Sequence, residues 1–138
     1  MGPAHSLNVL FVQNNPELSR RFAAVCGQLP DCQVGCFQSK SPAEAIPYLD
    51  GGNFGIVVLD LTRNYGMGLG AVAELAMRAP EIPLVVVVDP GERDAGRDGV
   101  AAGAADWLPI NAEVEVVNRC FFMCASESGF AKGCVECR

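Results

Sequence analysis

The sequence predicts a doubly wound α/β fold, a five-stranded parallel sheet with helices on both faces. Three observations carry that prediction. Five short apolar runs, at 7–12, 33–38, 56–61, 84–88 and 106–109, alternate with amphipathic helical patterns. The central runs, Ile56-Val57-Val58-Leu59-Asp60-Leu61 and Leu84 to Val88, are β-branched and apolar on both faces, as strands covered on both sides are. The chain is 138 residues long, half hydrophobic and 19% charged, which is one domain with a real core.

Each element carries its own signals. Strand one, Leu7 to Val12, breaks into Gln13-Asn14-Asn15-Pro16-Glu17. There Asn15 can cap a helix with Pro16 at its first position, spanning about 16 to 29. Leu18, Phe22, Val25 and Leu29 make its apolar face. Ser41-Pro42-Ala43-Glu44 is a capping box opening helix two, which Pro47 must shorten or bend and Gly51-Gly52 ends. Helix three covers about 68–79 with Leu69, Val72, Leu75 and Ala76 inward. The segment 90–104 holds Gly91, Gly96, Gly99 and Gly103, each costing up to about 1 kcal/mol inside a helix, so helix four is expected to be short and poorly ordered. Helix five, about 112–126, has one apolar face of Val114, Val117, Phe121 and Cys124 and a second of Val116, Cys120 and Met123. A surface helix needs one such stripe, so the second is expected to meet another chain or domain.

This organisation divides the chain into a leader, 1–6, a folded domain, 7–126, and a loose tail or linker, 127–138, after which an output or kinase module is expected. Right-handed crossovers leave few topologies. In the flavodoxin-like order, 2-1-3-4-5, the ligand crevice opens between the carboxyl ends of strands one and three. Gln13-Asn14-Asn15 and Asp60 therefore meet there. Asp at a strand end is often only a solvated terminus; its place at the topological switch point singles Asp60 out.

At this point the sequence resembles the receiver domain of bacterial two-component response regulators, from Leu7 to about Ala125. The resemblance rests on "NVLFV" with the polar triplet and Pro16-Glu17-Leu18, on "GIVVLDL" carrying Asp60, and on Gly68 eight residues later. It rests also on "IPLVVVV" and on "GVAAGAADWLP" leading into strand five. The family takes a phosphoryl group from a histidine kinase onto the strand-three aspartate. Two acidic residues after strand one hold Mg²⁺, a Ser or Thr ends strand four, and a Lys ends strand five. Phosphoryl transfer is mostly positioning and charge neutralisation, which is why the set contains a divalent ion and a cation.

Carried over residue by residue, the resemblance keeps the acceptor alone. Asp60 matches the phosphorylatable aspartate. Gln13 and Asn14 fall on the acidic pair, Val88 or Asp89 on the hydroxyl position, and Ile110 on the lysine. Trp107 falls on the aromatic that swings as a switch in the family, and here is expected as fixed packing or an interface anchor. Neutral amides supply no charge to Mg²⁺, and a phosphorylated Asp60 would carry about −2 with no cation beside it. The resemblance therefore implies an atypical receiver, a pseudo-receiver that is not an enzyme, binds no Mg²⁺ or other cofactor, and works by protein contact. The amides are expected to cap helix one and hydrogen-bond Asp60. Contact is expected with a partner or a second copy through helix four, strand five and helix five, where Val116, Cys120 and Met123 supply the apolar anchor. A histidine kinase or fused output domain is the implied partner.

Two alternatives stand beside that reading. One is a receiver still phosphorylated on Asp60 with weak Mg²⁺ dependence. The other is a thiol- or metal-sensing domain using Cys120, Cys124, Cys134 and Cys137. The seven cysteines are an odd number in a large apolar chain, which favours reduced thiols and a cytoplasmic location over a disulfide framework. The tail pair Cys134-x-x-Cys137 lacks further ligands nearby, since the single histidine is His5. Gly66, Gly68 and Gly70 imitate a phosphate loop but follow strand three and lack its lysine. With a net charge of −6, a pI near 4.6 and no basic stripe visible, a nucleic-acid partner is not expected, and no run of eighteen apolar residues is present to span a membrane.

Overall fold

A computed structural model of the chain describes residues 6–30, 33–63 and 66–128, with the backbone alone over 125–128. The elements run β1 (Ser6–Val12), α1 (Pro16–Cys26), β2 (Gln33–Ser39), α2 (Pro42–Gly51), β3 (Ile56–Asp60), α3 (Leu69–Arg78), β4 (Leu84–Val88), α4 (Arg93–Ala102), β5 (Asp106–Pro109) and α5 (Val114–Ser128). The five strands form one parallel sheet in the order β2-β1-β3-β4-β5, the predicted flavodoxin-like arrangement. Two boundaries shift. Ser6, assigned to the leader, pairs with Gln33 in the sheet, and α5 continues two residues into the expected tail. The remaining tail, including Cys134 and Cys137, lies outside the described residues.

Alternation along the strands builds two cores. Leu7, Val9 and Phe11 of β1 and Ile56 and Val58 of β3 point to α1 and α5, against Phe22, Val117 and Phe121. Leu10 and Val12 of β1 and Val57 and Leu59 of β3 point to α2 and α3, against Leu49, Val72 and Leu75. Every residue of β3 and β4 is buried, so their carboxyl ends deliver the chain to the crevice from a dry interior.

The helices follow their start signals and depart from expectation in four places. α1 ends at Cys26 rather than 29, though Leu29 stays buried in the turn beyond it. α2 runs through Pro47 to Gly51 without shortening. The carbonyl left unpaired is that of Ala43, and both residues are on the exposed side, where water can satisfy it. Leu69 is 45% exposed rather than inward. It sits six residues before Leu75, about 120° round the helix, and Ala71, Val72 and Leu75 form the buried face. Cys120 is buried at 5% exposure, a correction to the outer stripe, whereas Val116 and Met123 are exposed as expected. Its position three after Val117 and four before Cys124 puts it inside the core-facing stripe.

The largest correction concerns α4, a regular helix of ten residues instead of a short, poorly ordered one. Its glycines are the reason it fits. A Cβ on Gly96 would lie 2.3 Å from Trp107 Cδ2, and one on Gly99 would lie 2.8 Å from Val86 Cγ2. The missing side chains let α4 lie directly on β5 and β4, and that packing outweighs the local helix cost. Gly96→Ala therefore destabilises the fold by about 1–3 kcal/mol through overpacking. This holds despite a helix-propensity gain of up to about 1 kcal/mol. A thermal melt checks it: the midpoint falls by several degrees, and a variant as stable as the parent would show that Trp107 does not press on α4.

Candidate functional site

The crevice at the carboxyl ends of β1 and β3 is built from three loops. After β1, Asn15 caps α1, its Oδ1 accepting from the backbone N–H groups of Glu17 at 3.1 Å and Leu18 at 3.4 Å. Gln13 is buried, and both ends of its amide are engaged. Its Oε1 accepts from the Asn15 N–H at 2.6 Å, and its Nε2 donates to Gln38 Oε1 at 2.9 Å. Gln38 in turn donates from Nε2 to Ser19 Oγ on α1. The result is a neutral amide relay that fastens the β1–α1 loop to the end of β2, reinforced by the Gln13 N–H on the Ser39 carbonyl at 3.0 Å. Asn14 is exposed.

Asp60 ends β3 and is fully buried. Its Oδ1 accepts from the Thr62 N–H at 2.7 Å and from Thr62 Oγ1 at 2.6 Å. Its Oδ2 is buried with no hydrogen-bond partner among the described residues. The expectation that the amides bind Asp60 is therefore corrected: Thr62 holds the carboxylate, and Gln13 turns to Gln38 and Asn15. The physical reason is local. Asp followed two residues later by a hydroxyl residue closes an Asx-type turn with its own loop, without a long-range partner.

The third loop follows β4. Val88 ends that strand fully buried, and Asp89 is the next residue. Asp89 Oδ2 accepts from the Arg63 N–H at 2.8 Å, and the Arg63 guanidinium pairs with Glu92. The β3–α3 and β4–α4 loops are thus joined directly. Ile110 packs half-buried against the α1–α5 core, its N–H on the Val88 carbonyl at 2.9 Å. Trp107 is half-buried, with its ring over Gly96. Beside the loops lies a cleft of about 300 Å³ lined by Thr62, Arg63, Gly68, Leu69, Ala95 and Asp98 among others.

The fold thus gathers Gln13, Asp60 and Val88 or Asp89 at one end of the sheet, and leaves Val116 and Met123 on the outside of α5. Thr62, Arg63 and Gln38 were missed by sequence reasoning. The Asp60-Leu61-Thr62 spacing could have shown Thr62. Nothing local marks Arg63 or Gln38, whose partners are 26 and 25 residues away. Among the described residues no group of three or more metal-ligating side chains comes together, and no helix is long and apolar enough to cross a membrane. Cys120 is hydrogen-bonded to Cys124, and that bond, with burial and the nearby Asp106, pushes its thiol well above the usual range.

Thr62→Val tests the carboxylate clamp. It removes the Oγ1 donor at equal volume and should cost about 1.5–3 kcal/mol of stability in urea unfolding. Thr62→Ser should retain most of that stability. Equal stability of the valine and serine variants would remove the clamp.

No protein-family model matches the sequence, and a search of curated proteins finds no match. Solved structures do match. The receiver domain of the Francisella response regulator 1452 superposes with a TM-score of 0.69 at 12% identity, covering 88% of this chain and 98% of that one. A response regulator receiver domain protein from Clostridium thermocellum gives 0.73 at 10%, covering 90% and 98%. NtrX from Brucella abortus gives 0.77 at 15%, and there the match covers 93% of this chain but 29% of the other. With this strand order and these neighbours, the chain has the fold of response-regulator receiver domains.

Proposed function

We propose that this chain is an atypical receiver domain of two-component signal transduction, working by protein contact without aspartyl phosphorylation. The observation that carries the reading is Asp60 itself: fully buried, with one oxygen already held by two Thr62 donors. Its surroundings point the same way. Gln13, at the position of a metal-binding carboxylate, is neutral and consumed by the amide relay. Asn14 is neutral and exposed, and Ile110 stands where the resemblance calls for a lysine. Mg²⁺ favours anionic oxygen ligands, and this donor set offers Asp60 alone at the acceptor and acidic-pair positions. The Asp89 carboxylate, engaged by Arg63, would repel a phosphoryl group rather than hold it. The domain is a signalling module rather than an enzyme, coupled to a histidine kinase or to an output domain.

Trp107 is the single tryptophan and lies on β5, which makes it a reporter for the test. Titration with beryllofluoride, an aspartyl-phosphate mimic, at millimolar Mg²⁺ should leave its fluorescence unchanged. Intact mass should likewise be unchanged after incubation with a small acyl phosphate. A saturable response or a phosphoryl adduct, either one lost in Asp60→Asn, would establish the rival reading of a phosphorylated receiver.

The contact surface we assign is α4, β5 and α5, and the occupant a second copy of the chain. Val100 on α4 is 41% exposed, and Val116 and Met123 on α5 are 40% and 55% exposed. Val116 and Met123 are seven residues apart and so share one face of the helix. Sedimentation velocity over rising concentration should show a dimer that Val116→Glu with Met123→Glu dissociates. A species that stays monomeric at the highest concentration would overturn self-association through this face.

A further inference from the structure

Two thiols meet on the α1 side of the sheet, away from the crevice. Cys26 is the last residue of α1 and is buried, and Cys36 lies in the middle of β2 and is exposed. Their meeting follows from the strand–helix geometry. Gln38 on β2 reaches Ser19 on α1, and strand residues two apart share a face, so Cys36 is turned to α1 as Gln38 is. From Ser19 to Cys26 the helix descends about 10 Å, and from Gln38 to Cys36 the strand descends about 7 Å. Side chains span the difference, and the two thiols are hydrogen-bonded. β2 is an edge strand, with no further strand beyond it among the described residues, which leaves Cys36 open to small molecules.

We propose that Cys26 and Cys36 are a redox-active thiol pair, converted by hydroperoxides to an intramolecular disulfide. The Cys36 thiolate attacks one peroxide oxygen and breaks the O–O bond. The second oxygen leaves with the electron pair and takes up a proton, as water or an alcohol, and Cys36 becomes a sulfenic acid. The Cys26 sulfur then displaces the sulfenic oxygen. Its thiol proton goes to that oxygen, which departs as water, and the S–S bond forms. Two electrons pass from the two thiols to the peroxide, and an external dithiol can return them. The product ties the end of α1 to the edge strand.

The chemistry of the pair is asymmetric in the required sense. The hydrogen bond from the Cys26 thiol brings the Cys36 pKa down to about 7, against burial, which acts the other way. Near neutral pH a large share of Cys36 is therefore the nucleophilic thiolate, while the buried Cys26 is placed to resolve the sulfenic acid. Cys120 and Cys124, also hydrogen-bonded to each other, are both buried, and the Cys120 thiol is pushed up instead. Thiol contact alone is thus not what distinguishes the first pair. Exposure and thiolate character are.

Cys32 lies between the two in sequence, so the full chain is tested both as it stands and as Cys32→Ser. After limited hydrogen peroxide, non-reducing digestion with trypsin and Asp-N should join Phe22–Pro30 to Asp31–Lys40 in both proteins. The join should vanish with a reducing dithiol and in Cys36→Ser. Cys26→Ala should instead accumulate a sulfenic acid on Cys36 that dimedone traps. The pH midpoint of Cys36 alkylation should sit near 7 in the parent and move up towards about 8.5 in Cys26→Ala. Cys36→Ser alters an exposed position and is expected to fold even if Cys26→Ala does not. The proposal is overturned if peroxide joins other cysteines first, or if the 26–36 join is absent while the chain is folded. A Cys36 alkylation midpoint at the ordinary thiol value in the parent would overturn it too.

Discussion

The constraint on which the rest depends is the sealing of β3 and β4 on both faces. Strands with no wet side can carry no unpaired polar group along their length, so all polarity is deferred to their carboxyl ends. There three loops must satisfy it among themselves. They do so in part, with an Asn cap on α1, a Thr62 clamp on one Asp60 oxygen, and an amide relay from Asn15 through Gln13 and Gln38 to Ser19, while Asp60 Oδ2 keeps no partner among the described residues. None of these needs an ion. Each bond in the relay joins neutral groups, so its strength is insensitive to salt, unlike an exposed charge pair.

The same sealing dictates how α4 sits. With β4 buried to its last residue, the helix covering that edge must approach closely. Gly96 and Gly99 supply the clearance over Trp107 and Val86. The Trp107 ring consequently lies directly against α4 at Gly96. An aromatic so placed gains packing area against the helix backbone.

The fold was legible in the sequence because its determinants are local or periodic. Doubly apolar runs mark buried parallel strands, and Asn15-Pro16 and Ser41-Pro42 mark helix starts within one turn of chain. What was not legible depends on contacts distant in sequence. The glycines of α4 read as helix-breaking because their benefit lies in β4 and β5, on residues the local pattern does not mention. Cys120 was placed on an outer stripe by grouping it with Val116 and Met123, yet it lies about 40° from Cys124 and falls within the buried arc. In the site, Asp60 followed from strand position alone. The destination of Gln13 did not, because an amide beside a carboxylate has no spacing rule that prefers one partner over another 25 residues away.

On the proposed reading, a crevice assembled this way differs in kind from one that switches by charge. A switch requires loops that are held loosely until a ligand arrives and pulls them together. Here the β3–α3 and β4–α4 loops are joined beforehand by the Arg63 N–H on Asp89 and by the Arg63–Glu92 pair. An anion arriving at Asp60 would meet no unengaged donor on either Thr62 or the Arg63 backbone, and would have to displace Asp89 to obtain one. Any ligand that shifts an equilibrium must bind the two states unequally. At this site the two Thr62 donors and the Arg63 N–H are already engaged by Asp60 and Asp89, while Asp60 Oδ2 has no partner among the described residues. On the phosphorylation-independent reading proposed above, control of the domain acts elsewhere on it: on the outer faces of its helices, or on the edge strand, where groups remain accessible.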